Sequence, residues 1–300
     1  MSNGQRSGFI ALIGAPNAGK STLLNRMVGS KVAIVTPKVQ TTRTRIIGLA
    51  VVDQSQLIFV DTPGIFAPRR RLDRAMVQAA WGGARDADLV VVLIDAAAGL
   101  DTDSRRILDG LSKIDLPCLL ALNKVDKTRK DALLGLADAA AGLAKFDDIF
   151  MISALDGDGV EDLKQQLAKR LPEGPWLYPA DQLTDISERL LAAEMTREKV
   201  FLMLHQELPY ASTVETENWK RLKDGSIRIE QVVYVQRGSQ KAIVLGKGGR
   251  TIKAIGAQSR ADLEQMFGCR VHLFLFVKVR DRWGDDPARY REMGLDFPTE

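Results

Sequence analysis

Three hundred residues, 45% of them apolar and 27% charged, are enough for about two folded domains. Two cysteines exclude a disulfide scaffold and a cysteine-based zinc site, and a net charge of +4 is too small to identify a polyanion partner from whole-chain charge. The apolar runs are strand-sized, not membrane spans, and the apolar stretch at the amino terminus is too short for a signal peptide, so a cytoplasmic protein is expected.

In chain order, "GFIALIG" (8–14) predicts a buried strand and "NAGKSTLLNRMVG" a helix stopped by Gly29. Residues 45–53 and 55–61 read as the strands of a hairpin. The alternation continues with a helix over 72–88, a strand over 89–95, a helix over 102–113, a strand over 118–123, a helix over 130–145, a strand over 149–153 and a helix over 159–170. Apolar strands alternating with helices predict an α/β fold with a mostly parallel sheet covered on both faces, and ligands of such folds bind at the carboxyl ends of the strands. The proline-rich, aperiodic stretch that follows reads as a linker. A helix to about Leu208 comes next, then strands over 212–222 and 227–237 joined by the turn "KDGS". A strand-like entry from Lys241, a glycine-rich loop and a helix run to Gly268, and a last strand begins at Arg270. The expected organisation is a P-loop domain over 1–172, a linker over 173–184, a smaller α+β domain over 185–282 and a tail over 283–300. In the tail, Trp283 or Tyr290 is expected to pack on the second domain or to stack on a base.

Four motifs fall at strand ends of the first half. "GAPNAGKS" (Gly14–Ser21) matches the P-loop pattern between a strand and a helix. Its glycines let backbone N–H groups wrap a phosphate, and the helix amino terminus adds positive potential. Gly14, Asn17, Ala18, Gly19 and Thr22 belong to this cradle; Lys20 is expected on the β/γ-phosphates and Ser21 on Mg²⁺. "DTPG" (Asp61–Gly64) supplies a carboxylate for the Mg²⁺ shell and the Gly64 N–H for the γ-phosphate. In "NKVD" (Asn123–Asp126) the carboxylate of Asp126 accepts from the N1–H and exocyclic amine of guanine, a donor pair adenine lacks. Lys124 is expected to pack over the base and Asn123 to tie loops together. "ISA" (Ile152–Ala154) places Ser153 beside the base and offers the Ala154 N–H to the guanine O6. GTP and GDP with Mg²⁺ are therefore the expected ligands, and GTP hydrolysis the expected activity, with Lys20 and Gly64 acting at the γ-phosphate. Ile65 follows "DTPG", and its side chain has no group to orient an attacking water, so backbone groups of the flanking segments must do so.

Residues 231–261 contain Arg237, Lys241, Lys247, Arg250, Lys253 and Arg260 and no acidic residue. Within that stretch Gly246, Lys247, Gly248 and Gly249 open a helix. A loop without Cβ atoms lets a nucleotide chain approach closely, with Lys247 and Arg250 on its phosphates.

"QTTRTR" (Gln40–Arg45) is similar to the switch segment of the Era, Der and tRNA-modifying GTPases, which makes Thr42 the second Mg²⁺ ligand. In the same group the asparagine of "PNAGK", here Asn17, holds a potassium ion near the phosphates. The Gly-x-x-Gly loop in helix–strand–strand–helix–strand order resembles a KH (type II) domain. Taken together, and including "ELPY" (Glu207–Tyr210), the chain resembles the Era family, bacterial GTPases of small-subunit ribosome assembly. That resemblance implies binding of the single-stranded 3′ end of 16S ribosomal RNA, a role in 30S subunit biogenesis, a weak peripheral association with the inner membrane, and a monomer. A tRNA-modifying GTPase would need an added catalytic domain. A GTP-gated adaptor for a protein partner would not bind RNA in a salt-dependent way.

Overall fold

The computed structural model describes residues 4–298 except 40, 69, 113–114, 282–286, 288–289 and 291–293. The chain forms two compact units. One takes residues up to Ala33, Thr42–Asp185 and the chain from Tyr290; the other takes Ile34–Thr41 and Ile186–Arg289.

The first unit is built on strands β1 (Arg6–Gly14), β2 (Ile46–Val52), β3 (Ser55–Asp61), β4 (Leu89–Asp95), β5 (Cys118–Asn123) and β6 (Asp148–Ile152), in the order β2-β3-β1-β4-β5-β6. Every neighbouring pair is parallel except the β2–β3 hairpin. Helices α1 (Lys20–Val28), α2 (Arg71–Arg85), α3 (Thr102–Leu111), α4 (Lys130–Ala141) and α5 (Val160–Arg170) complete the α/β pattern. Strands β3, β4 and β5 are buried almost end to end, which is why they read as continuous apolar runs instead of alternating ones. Successive connections from β1 lead to opposite sides of it, toward β3 and toward β4, so the carboxyl end of β1 is the topological switch point where ligands of this architecture bind. Gly14 ends β1 there. Helix α1 starts only at Lys20, because Asn17 (φ 64°) and Gly19 (φ 100°) are left-handed, and it stops at Gly29 (φ 77°).

Two expectations are corrected in this unit. The stretch expected to be a linker over 173–184 is bonded to the first unit along its length. Arg6 and Glu173 form a bridge, as do Gly48 and Thr184; the Leu49 N–H donates to the Leu183 carbonyl, and Gln56 bonds the backbone of Leu177 and Tyr178. Its end, at Leu183 and Thr184, pairs with the open edge of β2, which would otherwise expose unpaired backbone groups. Prolines made it look free, but they only prevent a regular ladder. In the tail, Tyr290 packs not on the second domain but with Leu295 against Ala75 and Met76 of α2, with Phe297 edge-on to its ring. Trp283 lies outside the described residues.

The second unit contains α6 (Glu188–Met203), β7 (Ser212–Arg221), β8 (Ile227–Val235), α7 (Gly238–Leu245), α8 (Arg250–Phe267) and β9 (Val271–Val279). Its sheet runs β7-β8-β9, antiparallel then parallel. One face carries Val214, Val233, Val235 and Val277 against Ala193 and Val200 of α6, Val244 of α7 and Ile255 of α8. The strand-like entry expected from Lys241 is instead helix α7. The Gln240 side chain accepts the N–H groups of Gln236 and Arg237, which caps a helix start, and a short apolar run such as "KAIVL" fits either period. Ile34 packs in this unit beside Ala192, Met195, Ile229 and Leu263.

Candidate active site and nucleic-acid interface

The carboxyl ends of β1, β3, β5 and β6 bring the four motifs of the first unit together. Lys20 is buried and donates to the carbonyls of Gly14 (3.0 Å) and Ala15 (3.1 Å) across its own loop. Burial lowers its pKa to about 8, while the Asp61 charge pulls the other way. Asp61, fully buried at the end of β3, is pushed up by burial and drawn down by Lys20 and the hydroxyls of Ser21 and Thr42. Those hydroxyls lie 2.7 Å and 3.3 Å from Asp61 Oδ2 and 3.0 Å from each other. The three residues expected to bind Mg²⁺ therefore converge. Asp61 Oδ1 is buried with no hydrogen-bond partner. A hard oxygen donor set with one orphaned carboxylate oxygen fits Mg²⁺, which takes one or two carboxylates with phosphate and water oxygens.

Close packing fixes the loop glycines. A Cβ on Gly14 would come within 2.6 Å of the Leu93 carbonyl, and one on Gly19 within 2.2 Å of Asn123 Nδ2. Gly64 abuts the backbone of Pro16, where a Cβ would sit 2.9 Å from its nitrogen, so "DTPG" and the P-loop touch through main chain. The Ile65 N–H donates to the Gly14 carbonyl (3.1 Å), while its side chain is buried in the core cluster with Ile13 and Ala15.

Asn123 ties two loops: its Nδ2 donates to the Ala18 carbonyl (2.8 Å) and its Oδ1 accepts the Ala154 N–H (2.9 Å). The Ala154 amide, expected on guanine O6, donates here to the Asn123 side chain. Lys124 has left-handed backbone (φ 67°) and its Nζ pairs with Asp95 Oδ2 at 2.6 Å, where β4 ends. Asp126 is exposed in the single helical turn Val125–Lys127. Ser153 is buried and bonds Asp156 through its hydroxyl; Thr22 is half-buried on α1. The sequence reading missed Asp95 and Arg26, whose guanidinium bonds the carbonyls of Ala154 and Leu155. Asp95 had a signal, since an acid closing the apolar strand "LVVVLID" lies at the ligand end of the sheet.

In the second unit, Gly246 (φ 70°), Gly248 (φ 62°) and Gly249 (φ 75°) are left-handed, and α8 begins at Arg250. A Cβ on Gly246 would meet Thr251 Oγ1 at 2.2 Å, whereas one on Gly248 would meet nothing within 4 Å. Lys247, Gly248 and Arg250 are exposed. The loop is open and backbone-lined beside two cations. Gln40 lies outside the described residues. Among them no helix is long and apolar enough to cross a membrane.

Known proteins place this pairing of sites in a family. A family model described as "50S ribosome-binding GTPase" matches residues 9–124, and one described as "KH domain" matches residues 207–284. The GTPase Era of Sinorhizobium medicae is 62% identical over 293 residues, which are 98% of this chain and 94% of that protein. The chain belongs to the Era family of GTPases. The GTPase Era of Brucella suis is 59% identical over 98% of the chain. Two solved Era structures, each 36% identical and covering 97% of this chain and 99% of the other, resemble it with TM-scores of 0.91 and 0.92. The first is an Aquifex aeolicus Era variant bound to GDP·AlF4⁻; the second is Era with MgGDPNP and nucleotides 1506–1542 of 16S ribosomal RNA. The family, the P-loop and KH fold classes, and GTPase activity with guanine nucleotide and Mg²⁺ accord with the expectations from the sequence.

Proposed function

We propose that this Era-family GTPase uses GTP binding and hydrolysis to control its grip on the single-stranded 3′ end of 16S ribosomal RNA, and that it assists assembly of the 30S subunit as a monomer. The observation that carries the reading is the open Gly246–Gly249 loop, with Lys247 and Arg250 exposed beside it, in the same chain as a converged nucleotide site. Support comes from the related Era held with MgGDPNP and 16S nucleotides.

In the nucleotide site, Lys20 turns from its own loop carbonyls to the β/γ-phosphates, and the P-loop amides wrap them. Ser21, Thr42 and Asp61 hold Mg²⁺, which when bound neutralises charge developing on the phosphate oxygens. Asp126 reads the guanine edge, and Asn123 holds the P-loop against the loop after β6. Gly64 brings its N–H to the γ-phosphate at the point where it abuts Pro16. Since Ile65 is buried, main-chain groups of the segments around Thr42 and Gly64 would orient the water, and Asn17 would help hold a potassium ion whose charge offsets that of the phosphates. In the second unit, Gly248 admits the sugar–phosphate chain and the two cations meet its phosphates.

Titrating a single-stranded RNA of the 3′-terminal 16S sequence into the full chain at rising salt tests the reading. Affinity should fall steeply with salt, and Lys247→Ala with Arg250→Ala should flatten the log–log slope by roughly 0.7 per lost contact. A slope unchanged by the double substitution would remove the loop from the interface.

A further inference from the structure

Asp95 belongs to none of the four motifs, yet the sheet sets it beside one of them. It is the last residue of β4 and pairs in register with Asn123, the last residue of β5, so Lys124 leaves the sheet next to it. The Ala96 N–H donates to the Asn123 carbonyl at 2.8 Å, which fixes the two strand ends against each other. The Asp95 carboxylate is itself held. Its Oδ1 accepts the Ala97 N–H at 3.0 Å, and the Asp95 carbonyl accepts the N–H groups of Ala98 (3.1 Å) and Gly99 (2.9 Å), so the turn after β4 sets its direction. Its Oδ2 lies 2.6 Å from Lys124 Nζ. Lys124 in turn has left-handed backbone (φ 67°), a conformation that residues with a side chain seldom take outside sites whose surroundings impose it. The pair is half-buried, with 27% of the lysine side chain and 23% of the aspartate side chain exposed, and is therefore less screened than a surface pair.

An ammonium on a flexible four-carbon stem samples many directions in water, and ordering it costs side-chain entropy. A carboxylate fixed by its own turn removes that cost from the binding step, because the stem is laid out before a base enters. We propose that Asp95 is a positioning residue for guanine binding: its carboxylate anchors the Lys124 ammonium and so holds the lysine stem where it covers the base. This rests on the reading of Lys124 as the side chain packed over guanine. Asp95 acts through Lys124 and touches no nucleotide itself. A side chain kept only to close the turn after β4 would need just one oxygen, the one that accepts from Ala97; the second oxygen faces the lysine.

The test uses the full chain. Asp95→Asn keeps an oxygen for the Ala97 N–H and sets an amide against the ammonium, so the turn survives and the anchor is lost. Asp95→Ser, whose hydroxyl can also accept that N–H, takes its place if the asparagine form fails to fold. The variant should melt near the wild-type temperature, release GDP faster and bind it about threefold to tenfold more weakly. Its affinity for pyrophosphate with Mg²⁺, a probe that has no base, should match wild type. In a Lys124→Met background, which keeps an apolar stem and removes the ammonium, the same substitution should change GDP affinity by less than about twofold. Wild-type GDP affinity in a folded Asp95→Asn variant would overturn the proposal, as would an equal loss in the Lys124→Met background or an equal loss of pyrophosphate affinity. Lys124→Ala, which removes the stem, separates the two readings. If it leaves GDP affinity intact, the base-packing role of Lys124 fails and the positioning role falls with it; if it weakens GDP binding while Asp95→Asn does not, only the positioning role fails.

Discussion

Asn123 is the tie most open to a quantitative test. Its side chain is 2% exposed and satisfies two backbone groups from distant parts of the sequence, the Ala18 carbonyl and the Ala154 N–H. Asn123→Ala leaves both groups buried without partners, at about 1–3 kcal/mol each, so a loss of about 4 kcal/mol is expected. For a unit of this size that lowers the melting temperature by roughly 10 °C. Asn123→Asp separates the two bonds. It keeps an acceptor for Ala154 but sets a carboxylate oxygen against the Ala18 carbonyl, so at pH 8 it should be at least as damaging as alanine. At acidic pH the protonated carboxyl can donate to Ala18, and the gap to wild type should narrow. Thermal melts at both pH values, with GDP affinity measured alongside, read the outcome. An alanine variant melting within 1 °C of wild type, or an aspartate variant of wild-type stability at pH 8, would refute the reasoning.

The lowered pKa of Lys20, about 8, makes nucleotide binding pH-dependent. The folded value lies below the unfolded one of about 10.4, so the unfolded state binds more protons between those values and the ligand-free protein should gain stability as pH rises through that window. Phosphate favours the charged amine, so GTP binding should take up a proton above pH 8 and weaken by up to about tenfold per pH unit; calorimetry in buffers of different ionisation enthalpy detects the proton. Asp126→Asn should weaken GTP roughly 100-fold or more and improve xanthosine triphosphate, whose carbonyl replaces the guanine amine; competition binding checks both signs. Turnover should be faster in K⁺ than in Na⁺ at equal ionic strength, with Asn17→Ala removing the difference in steady-state phosphate release.

The nucleotide site was legible because its residues are set by short-range geometry. A strand, a glycine loop and a helix must follow one another for backbone amides to face a phosphate, so Gly14 to Ser21 could be placed from order alone. Asp61 and Asn123 were legible as the last residues of apolar strands. What the sequence hid was long-range. Nothing near Arg197 in sequence signals the Thr41 carbonyl, 156 positions away. The bonded course of 173–184 was hidden because backbone pairing at a sheet edge leaves no side-chain period to read. Helix α7 was hidden by the shortness of its apolar run, and Tyr290 by the absence of any pattern joining a tail residue to α2.

The two glycine loops differ in what surrounds them, and the difference matches the shape of what each is proposed to hold. In the P-loop, Cβ atoms on Gly14 and Gly19 would strike the protein itself at 2.6 and 2.2 Å, so the glycines let the loop close on a compact triphosphate. At the second loop only Gly246 is hemmed in, by Thr251, and Gly248 faces open space. An alanine at Gly248 would meet no atom of the protein and would carry only the left-handed backbone cost, about 1–2 kcal/mol. Gly248→Ala should therefore fold, bind GTP normally and yet bind the single-stranded RNA more weakly, because its methyl occupies the path of the sugar–phosphate chain. Gly246→Ala should lose RNA binding by a different route, through displacement of Thr251 and the start of α8. Wild-type RNA affinity in a folded Gly248→Ala variant would show that no backbone passes over that glycine, and the open loop would then need another explanation than a polymer rail.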